Sequence, residues 1–225
     1  MSSTKFAVFV FSKTAGYRHA SIPAGVESIK QLGTASDAFT VDSSEDSSFI
    51  NTENLSRYTV VIFLQTSGDF LGDEQLAALQ TYVRSGGGFV GIHCAAAGMT
   101  KDPWYRELIG AVFTEHPEPQ HGLVTVENKD HAIVADLPEK WKWFDEWYNF
   151  DENPRAKVTV LLSINEETYN LKGGKLGKDH PLAWCREFDG GRSFYTSLGH
   201  FDEAYSDEEF MDHISKGILW AARKV

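Results

Sequence analysis

Along the first 110 residues, short continuous apolar runs alternate with longer stretches in which apolar residues recur every three or four positions. Phe6 to Phe11 (FAVFVF) is apolar throughout and of strand length, as suits a strand buried on both faces of a parallel sheet. A glycine-containing loop, Lys13 to His19, follows it. Ser21 then reads as the N-cap of a helix running to about Leu32, with Ile22, Val26, Ile29 and Leu32 on one face. Phe39 to Asp42 fits a second strand, and Thr59 to Leu64 (TVVIFL) a third. Asp73 is expected to cap a helix carrying Leu76, Leu79, Tyr82 and Val83 at helical spacing, with Gly86-Gly87-Gly88 ending it before a fourth strand, Phe89 to Ile92. Strands alternating with amphipathic helices predict βαβ units and a parallel sheet.

The pattern weakens afterwards. Residues 111–155 are rich in His, Trp, Pro and Glu with little periodicity, which predicts an irregular excursion with short strands. Val158 to Ile164 reads as a further strand. Leu182 to Phe188 and Arg192 to Leu198 flank Asp189-Gly190-Gly191, a strong hairpin signal. A final helix starts with Ser206 and Glu209 in capping-box register and carries Phe210, Ile214, Ile218 and Trp220. There is no internal repeat or linker, so residues 1–225 are expected to form one domain: doubly wound α/β, with a mostly parallel sheet and a late antiparallel hairpin.

Composition narrows the functional classes. Lys and Arg total 21 against 32 acids, a net charge of −11, and no basic cluster offsets it. Such a surface repels phosphate backbones, so a nucleic-acid partner is not expected. No run of about 18 apolar residues is present to span a membrane. Met1 to Lys5 is short and polar and leads straight into a strand, so no signal peptide is expected. Two cysteines, Cys94 and Cys185, without CxxC spacing fit a reduced cytoplasmic protein and exclude a disulfide scaffold.

Ligands of doubly wound sheets bind beyond the carboxyl ends of the strands, so the residues following each strand mark the site. The first strand is followed by Gly16, Tyr17, Arg18 and His19; the third by Thr66, Ser67, Gly68 and Asp69; the fourth by His93, Cys94 and Ala95; the last by Gly199 and His200. A hairpin centred at Gly190 places His180 across from His200. These imidazoles are expected to surround one crevice. Gly91-Ile92-His93-Cys94-Ala95 has the frame of a nucleophile elbow, a tight strand-to-helix turn that lifts its middle side chain above the sheet. That position is His93, which counts against Cys94 as a nucleophile and leaves it a small buried residue. In Phe144-Asp145-Glu146-Trp147-Tyr148, Glu146 is a candidate general base or metal ligand and Trp147 and Tyr148 candidate stacking rings for a sugar; an edge strand with a solvated acid pair fits equally. Trp141, Trp143 and Trp184 are expected in the core.

Gly16-Tyr17-Arg18-His19-Ala20-Ser21, Gly86-Gly87-Gly88-Phe89-Val90-Gly91-Ile92-His93, Asp145-Glu146-Trp147-Tyr148, His180-Pro181-Leu182-Ala183-Trp184 and Leu198-Gly199-His200 together resemble the ThuA-like (trehalose utilization) family across nearly the whole chain. The resemblance implies a class I glutamine amidotransferase-like fold of the flavodoxin-like type and a role in sugar utilisation. An amidotransferase would need a Cys–His–Glu triad. His116-Pro117-Glu118 mimics its His-Pro-Glu motif but lies 22 residues past Cys94, too early in the chain, and the elbow holds imidazole instead of thiol. A glutaminase is therefore not expected.

The leading reading is an enzyme on a carbohydrate or keto-sugar, a hydrolase, lyase or isomerase. His93 would act as general acid or base, because imidazole titrates near neutrality, with Glu146 as its counterpart. His19 and His200 would share that work, or join His93 in holding a divalent metal such as zinc. Tyr17, Arg18, Asp69, Trp147, Tyr148 and His180 are the expected substrate contacts. The alternative is a non-catalytic sugar-binding or regulatory module. A small carbohydrate-type ligand is the expected partner, with a homo-oligomer open.

Overall fold

The computed structural model describes residues 5–173 and 176–225; the segment Met1–Thr4, part of the stretch from which no signal peptide was expected, lies outside them. Its strands are β1 (Phe6–Phe11), β2 (Phe39–Ser44), β3 (Val60–Leu64), β4 (Gly88–Ile92), β5 (Phe113–Glu115), β6 (Gln120–Val126), β7 (Lys140–Asp145), β8 (Asn149–Phe150), β9 (Thr159–Ile164), β10 (His180–Phe188) and β11 (Gly191–Thr196). The helices are α1 (Ile22–Ser36), α2 (Thr52–Leu55), α3 (Asp73–Arg84), α4 (Pro103–Ile109) and α5 (Glu208–Ala221).

Nine strands form one sheet in the order β2-β1-β3-β4-β11-β10-β9-β6-β7. The first five are parallel and the remaining four pairings antiparallel. The 2-1-3-4 start is the flavodoxin-like order, whose switch point lies between β1 and β3. Strand pleating sends alternate residues to opposite faces. Val8, Val10, Val60, Ile62, Val90 and Ile92 pack with Ile29 of α1 and Phe210, Ile214 and Ile218 of α5. Phe9, Phe11, Val61, Phe63 and Phe89 pack with Leu79 and Val83 of α3 and Tyr105 and Leu108 of α4. Helices on both faces are why β3 and β4 are apolar at every position.

Several local expectations are corrected. Helix α1 continues to Ser36, and Ser21 makes no capping bond: its backbone is already helical and its hydroxyl donates instead to the His200 carbonyl (2.5 Å). Asp73 is the first residue of α3 and not its cap; Gly72 precedes the helix, and its N–H donates to Gln75 Oε1 (3.0 Å). Asp207, one residue beyond Ser206, caps α5 by accepting from the Phe210 N–H (2.9 Å). Residues 111–155 are more regular than expected, because β6 and β7 form an antiparallel pair that widens the sheet. Trp141 and Trp143 of β7 are buried while Lys140, Lys142 and Phe144 face out. The late hairpin is where it was expected: Phe188 pairs with Gly191, and Asp189 and Gly190 both have positive φ (47° and 96°), as a two-residue type I′ turn requires.

Candidate active site

The carboxyl ends of β1, β3, β4 and β11 converge with the end of β7. The loop after β1 is latched to that after β3: Ala15 N–H and Gly16 N–H donate to the Ser67 carbonyl (2.7 and 3.1 Å), and the Ser67 hydroxyl donates to the Tyr17 carbonyl (2.6 Å). Gly68, at φ +72°, approaches so closely that a Cβ there would lie 2.7 Å from Gly16 N. This latch places Tyr17 and His19 over the sheet.

His93 sits directly after β4 with φ 53°, a left-handed backbone uncommon for residues other than glycine. The Tyr195 hydroxyl donates to the His93 carbonyl (2.9 Å) and Nδ1–H donates to the Ser197 carbonyl (2.6 Å). Since a carbonyl can only accept, neutral His93 carries its lone pair on Nε2, turned toward the cluster. The Tyr148 hydroxyl donates to that atom (2.8 Å), and His200 Nδ1 and Glu146 Oε2 lie 3.3 and 3.4 Å from it. The elbow frame thus predicted the position of His93, but not its burial: the ring has no solvent exposure.

His200 is held by its backbone. Buried Asp145 accepts from Gly199 N–H (2.8 Å) and His200 N–H (3.2 Å), and also from Trp143 Nε1–H (2.8 Å) and Glu146 N–H (2.9 Å). The same carboxylate therefore fixes both His200 and Glu146. Gly199 has φ +109°, and a Cβ there would press on Phe210 and Tyr205 at 3.0 Å. His200 Nδ1 stands 3.1 Å from Glu146 Oε2, while Glu146 Oε1 faces His116 Nε2 at 3.4 Å. Asp145 and Glu146 are both buried, so the acid pair is not solvated, although β7 is indeed an edge strand of the sheet.

His19 closes the cluster, its ring centroid 4.8 Å from that of His93 and 4.9 Å from that of His200, nearly perpendicular to both. Burial, then the neighbouring His93 and His200, lower its pKa to about 3, and its buried Nδ1 has no hydrogen-bond partner. Burial pushes the Glu146 carboxyl up, but the His200 and His93 imidazoles beside it outweigh that and hold the group well below the usual carboxylate range. Burial drives the Cys94 thiol up to about 11, the reverse of what a thiolate nucleophile needs.

One ligand atom from each of His19, His93, His200 and Glu146 lies within 4.8 Å of the others. Three imidazoles and a carboxylate are the donor chemistry of zinc-type sites. The unpartnered His19 nitrogen and the Nδ1–H of His93 on a carbonyl, which fixes the tautomer with the Nε2 lone pair toward the cluster, fit a divalent transition metal once the Tyr148 hydroxyl yields that lone pair. The cluster opens onto a cavity of about 300 Å³ lined by Tyr17, His19, Cys94, Phe113, His116, Glu146 and Tyr148.

Of the expected contacts, Tyr17 and Tyr148 face this cavity and four others do not. His180 is completely buried behind the site: its Nε2–H donates to the Tyr148 carbonyl (2.7 Å) and Nδ1 lies 3.0 Å from Glu166 Oε1. Register did bring it level with the end of β11, but its side chain turns inward, where it supports Tyr148. Trp147 is buried beside Tyr169, in the link between β7 and β8. Arg18 points outward into a two-bonded pair with Glu45 (2.7 and 2.8 Å), and exposed Asp69 faces Lys101 (3.4 Å). His116 is the residue missed. Its motif pointed to amidotransferase chemistry, whereas the pairing of Gln120 with Asp145 brings the preceding turn beside Glu146.

Fold and site together define an α/β protein of flavodoxin-like order with a histidine–carboxylate cluster above the parallel strands. A family model described as trehalose utilisation matches residues 7–221, and the chain belongs to this ThuA family. Among solved structures, a ThuA-like protein from Bacteroides uniformis is 27% identical with a TM-score of 0.80, covering 96% of this chain and 91% of its own. Another, from Parabacteroides merdae, is 22% identical at TM-score 0.78, with 97% and 90% covered. A β-galactosidase from Bacillus circulans shares the fold at TM-score 0.57 and 15% identity, over 95% of this chain but 30% of that one. No curated protein matches.

Proposed function

We propose that this protein is a metal-assisted enzyme acting on a sugar or keto-sugar, with hydrolase, lyase or isomerase chemistry. The observation that carries the reading is the convergence of His19, His93, His200 and Glu146 within 4.8 Å at the floor of an open cavity. A divalent ion there, zinc being the type, would polarise a carbonyl or hydroxyl oxygen and acidify a bound water. Tyr17, Phe113 and Tyr148 give the cavity the ring surface that a sugar face packs against, and Glu146 and His116 offer polar atoms for hydroxyls. The Tyr148 hydroxyl, its pKa raised chiefly by burial, serves as a hydrogen-bond donor. Two free buried cysteines suit a reduced compartment, and the cytoplasm is the location we assign; among the described residues no helix is long and apolar enough to cross a membrane.

The test begins with elemental analysis of protein made without chelators or a metal-affinity tag. About one divalent ion per chain is expected, lost in Glu146→Gln and in His200→Ala. The loaded protein should then consume keto-glycosides, followed by NMR. A folded wild-type chain that takes up no ion refutes the metal reading. One that binds ion and sugar without turnover is a binding module.

A further inference from the structure

Glu146 has two oxygens, and the histidine cluster engages one of them. Oε2 stands 3.4 Å from His93 Nε2 and 3.1 Å from His200 Nδ1, whereas Oε1 stands 3.4 Å from His116 Nε2. His116 comes from the turn between β5 and β6 and is not one of the four clustered residues. We propose that His116 Nε2 and Glu146 Oε1 form a second divalent-cation site, so that the Glu146 carboxylate bridges a pair of ions. This rests on the metal reading of the cluster and adds a ligand and an ion to it.

The two imidazoles that flank Glu146 are set up alike. His116 donates Nδ1–H to the Pro117 carbonyl (2.8 Å), so its neutral ring carries the lone pair on Nε2. His93 does the same with the Ser197 carbonyl. A backbone carbonyl on the far nitrogen is the usual outer partner of a metal-bound histidine. Packing against Tyr148 and Phe113, with centroids 5.9 Å away in both cases, sets the His116 ring plane. The spacing then decides between a proton and an ion. A carboxylate oxygen and an imidazole lone pair repel unless one of these lies between them. A proton would draw the pair to about 2.7–2.9 Å, the length of a charge-assisted bond. Two metal bonds of about 2.1 Å meeting at the tetrahedral angle hold their ligand atoms about 3.4 Å apart. The observed 3.4 Å is the ligated spacing. Glu146, Cys94 and His116 all line the 300 Å³ cavity, which leaves the remaining positions of the ion to water or to a guest's oxygens. Two ions on one carboxylate supply a clamp for two oxygens of the same molecule. With two protein ligands against four, the second site is the weaker and fills only when the ion is supplied.

Equilibrium dialysis against manganese, with electron paramagnetic resonance on the same samples, tests this. As free manganese rises, wild type should pass from about one bound ion to about two, and the second ion should bring spin coupling to the signal. His116→Ala should stop at about one uncoupled ion, and His116→Glu, which restores a ligand, should recover the second to within about tenfold in Kd. The His116 side chain is 33% exposed, so its removal leaves the core intact, and circular dichroism checks that. A wild type that saturates at one ion, or holds two without coupling, overturns the bridged second site while the metal reading stands. So does a His116→Ala chain that still takes two. A wild type that binds none refutes both.

Discussion

Each buried imidazole in this protein has a different answer to the cost of burying a charge. His93 donates Nδ1–H to the Ser197 carbonyl, and His180 spans Glu166 and the Tyr148 carbonyl. His213 of α5 has little help: Nδ1 faces the Ile133 carbonyl at 3.4 Å and Nε2 has no partner among the described residues. Burial lowers its pKa to about 4; the Ile133 carbonyl opposes that and Lys216 adds to it. As pH falls below about 6.5, the unfolded chain takes a proton here that the folded chain refuses until about pH 4. Stability is therefore lost on acidification across that window, by about 1.4 kcal/mol per pH unit from this group. His213→Leu should flatten the dependence by that amount in urea titrations at pH 7, 6 and 5. Parallel curves for variant and wild type would refute it. At this scale the sequence was informative where a residue ends a parallel strand, as His93 and His200 do. It failed for His180 and Trp147, whose direction is set by packing against Glu166 and Tyr169, two contacts that spacing does not encode.

Secondary elements were read best where burial on both sides makes them apolar throughout, as in β1, β3 and β4. Strand β7 was read only at its end, as an alternative edge strand, because its outer face mixes Lys140, Lys142 and Phe144 and the alternation with Trp141 and Trp143 is not a clean apolar–polar one. Glu146 and His116 meet through the β6–β7 and β5–β8 pairings, and missing these hid their proximity. Helix ends are finer still. Ser206 and Asp207 both satisfy capping preferences, but Ser206 closes the preceding 3₁₀ turn and Asp207 makes the bond. Asp207→Ala should cost about 1 kcal/mol and Ser206→Ala less than about 0.5 kcal/mol. Chemical denaturation of the two variants checks this, and the reverse ranking would return the cap to Ser206.

For the whole molecule, the cluster has a thermodynamic signature. Drawing His19, His93, His200 and Glu146 from four distant segments orders loops after β1, β4, β7 and β11 at once. A divalent ion bound only by the folded chain, at a hundredfold excess over its Kd, adds about 2.7 kcal/mol of stability. For a chain of this length that corresponds to a rise of about 5–10 °C in Tm. Thermal scans with zinc against a chelator should show it for wild type and lose it in Glu146→Gln. An unchanged wild-type Tm would count against ligation by the cluster. The doubly wound class was legible from the run of elements and the flavodoxin-like type from the family resemblance, whereas the widening of the sheet by β6 and β7 was not, since nothing local distinguishes a strand that joins the main sheet from one that stands alone.

The phenol of Tyr148 occupies the lone pair of His93 Nε2. An ion seated on that nitrogen would evict the phenolic hydrogen, which must then find a new acceptor in the adjoining space. Filled and empty forms would thus greet an incoming molecule with different donors. By reciprocity of linked equilibria, an oxygen-rich guest that accepts the displaced hydrogen would strengthen the hold on the ion by the same factor that the ion strengthens the hold on the guest.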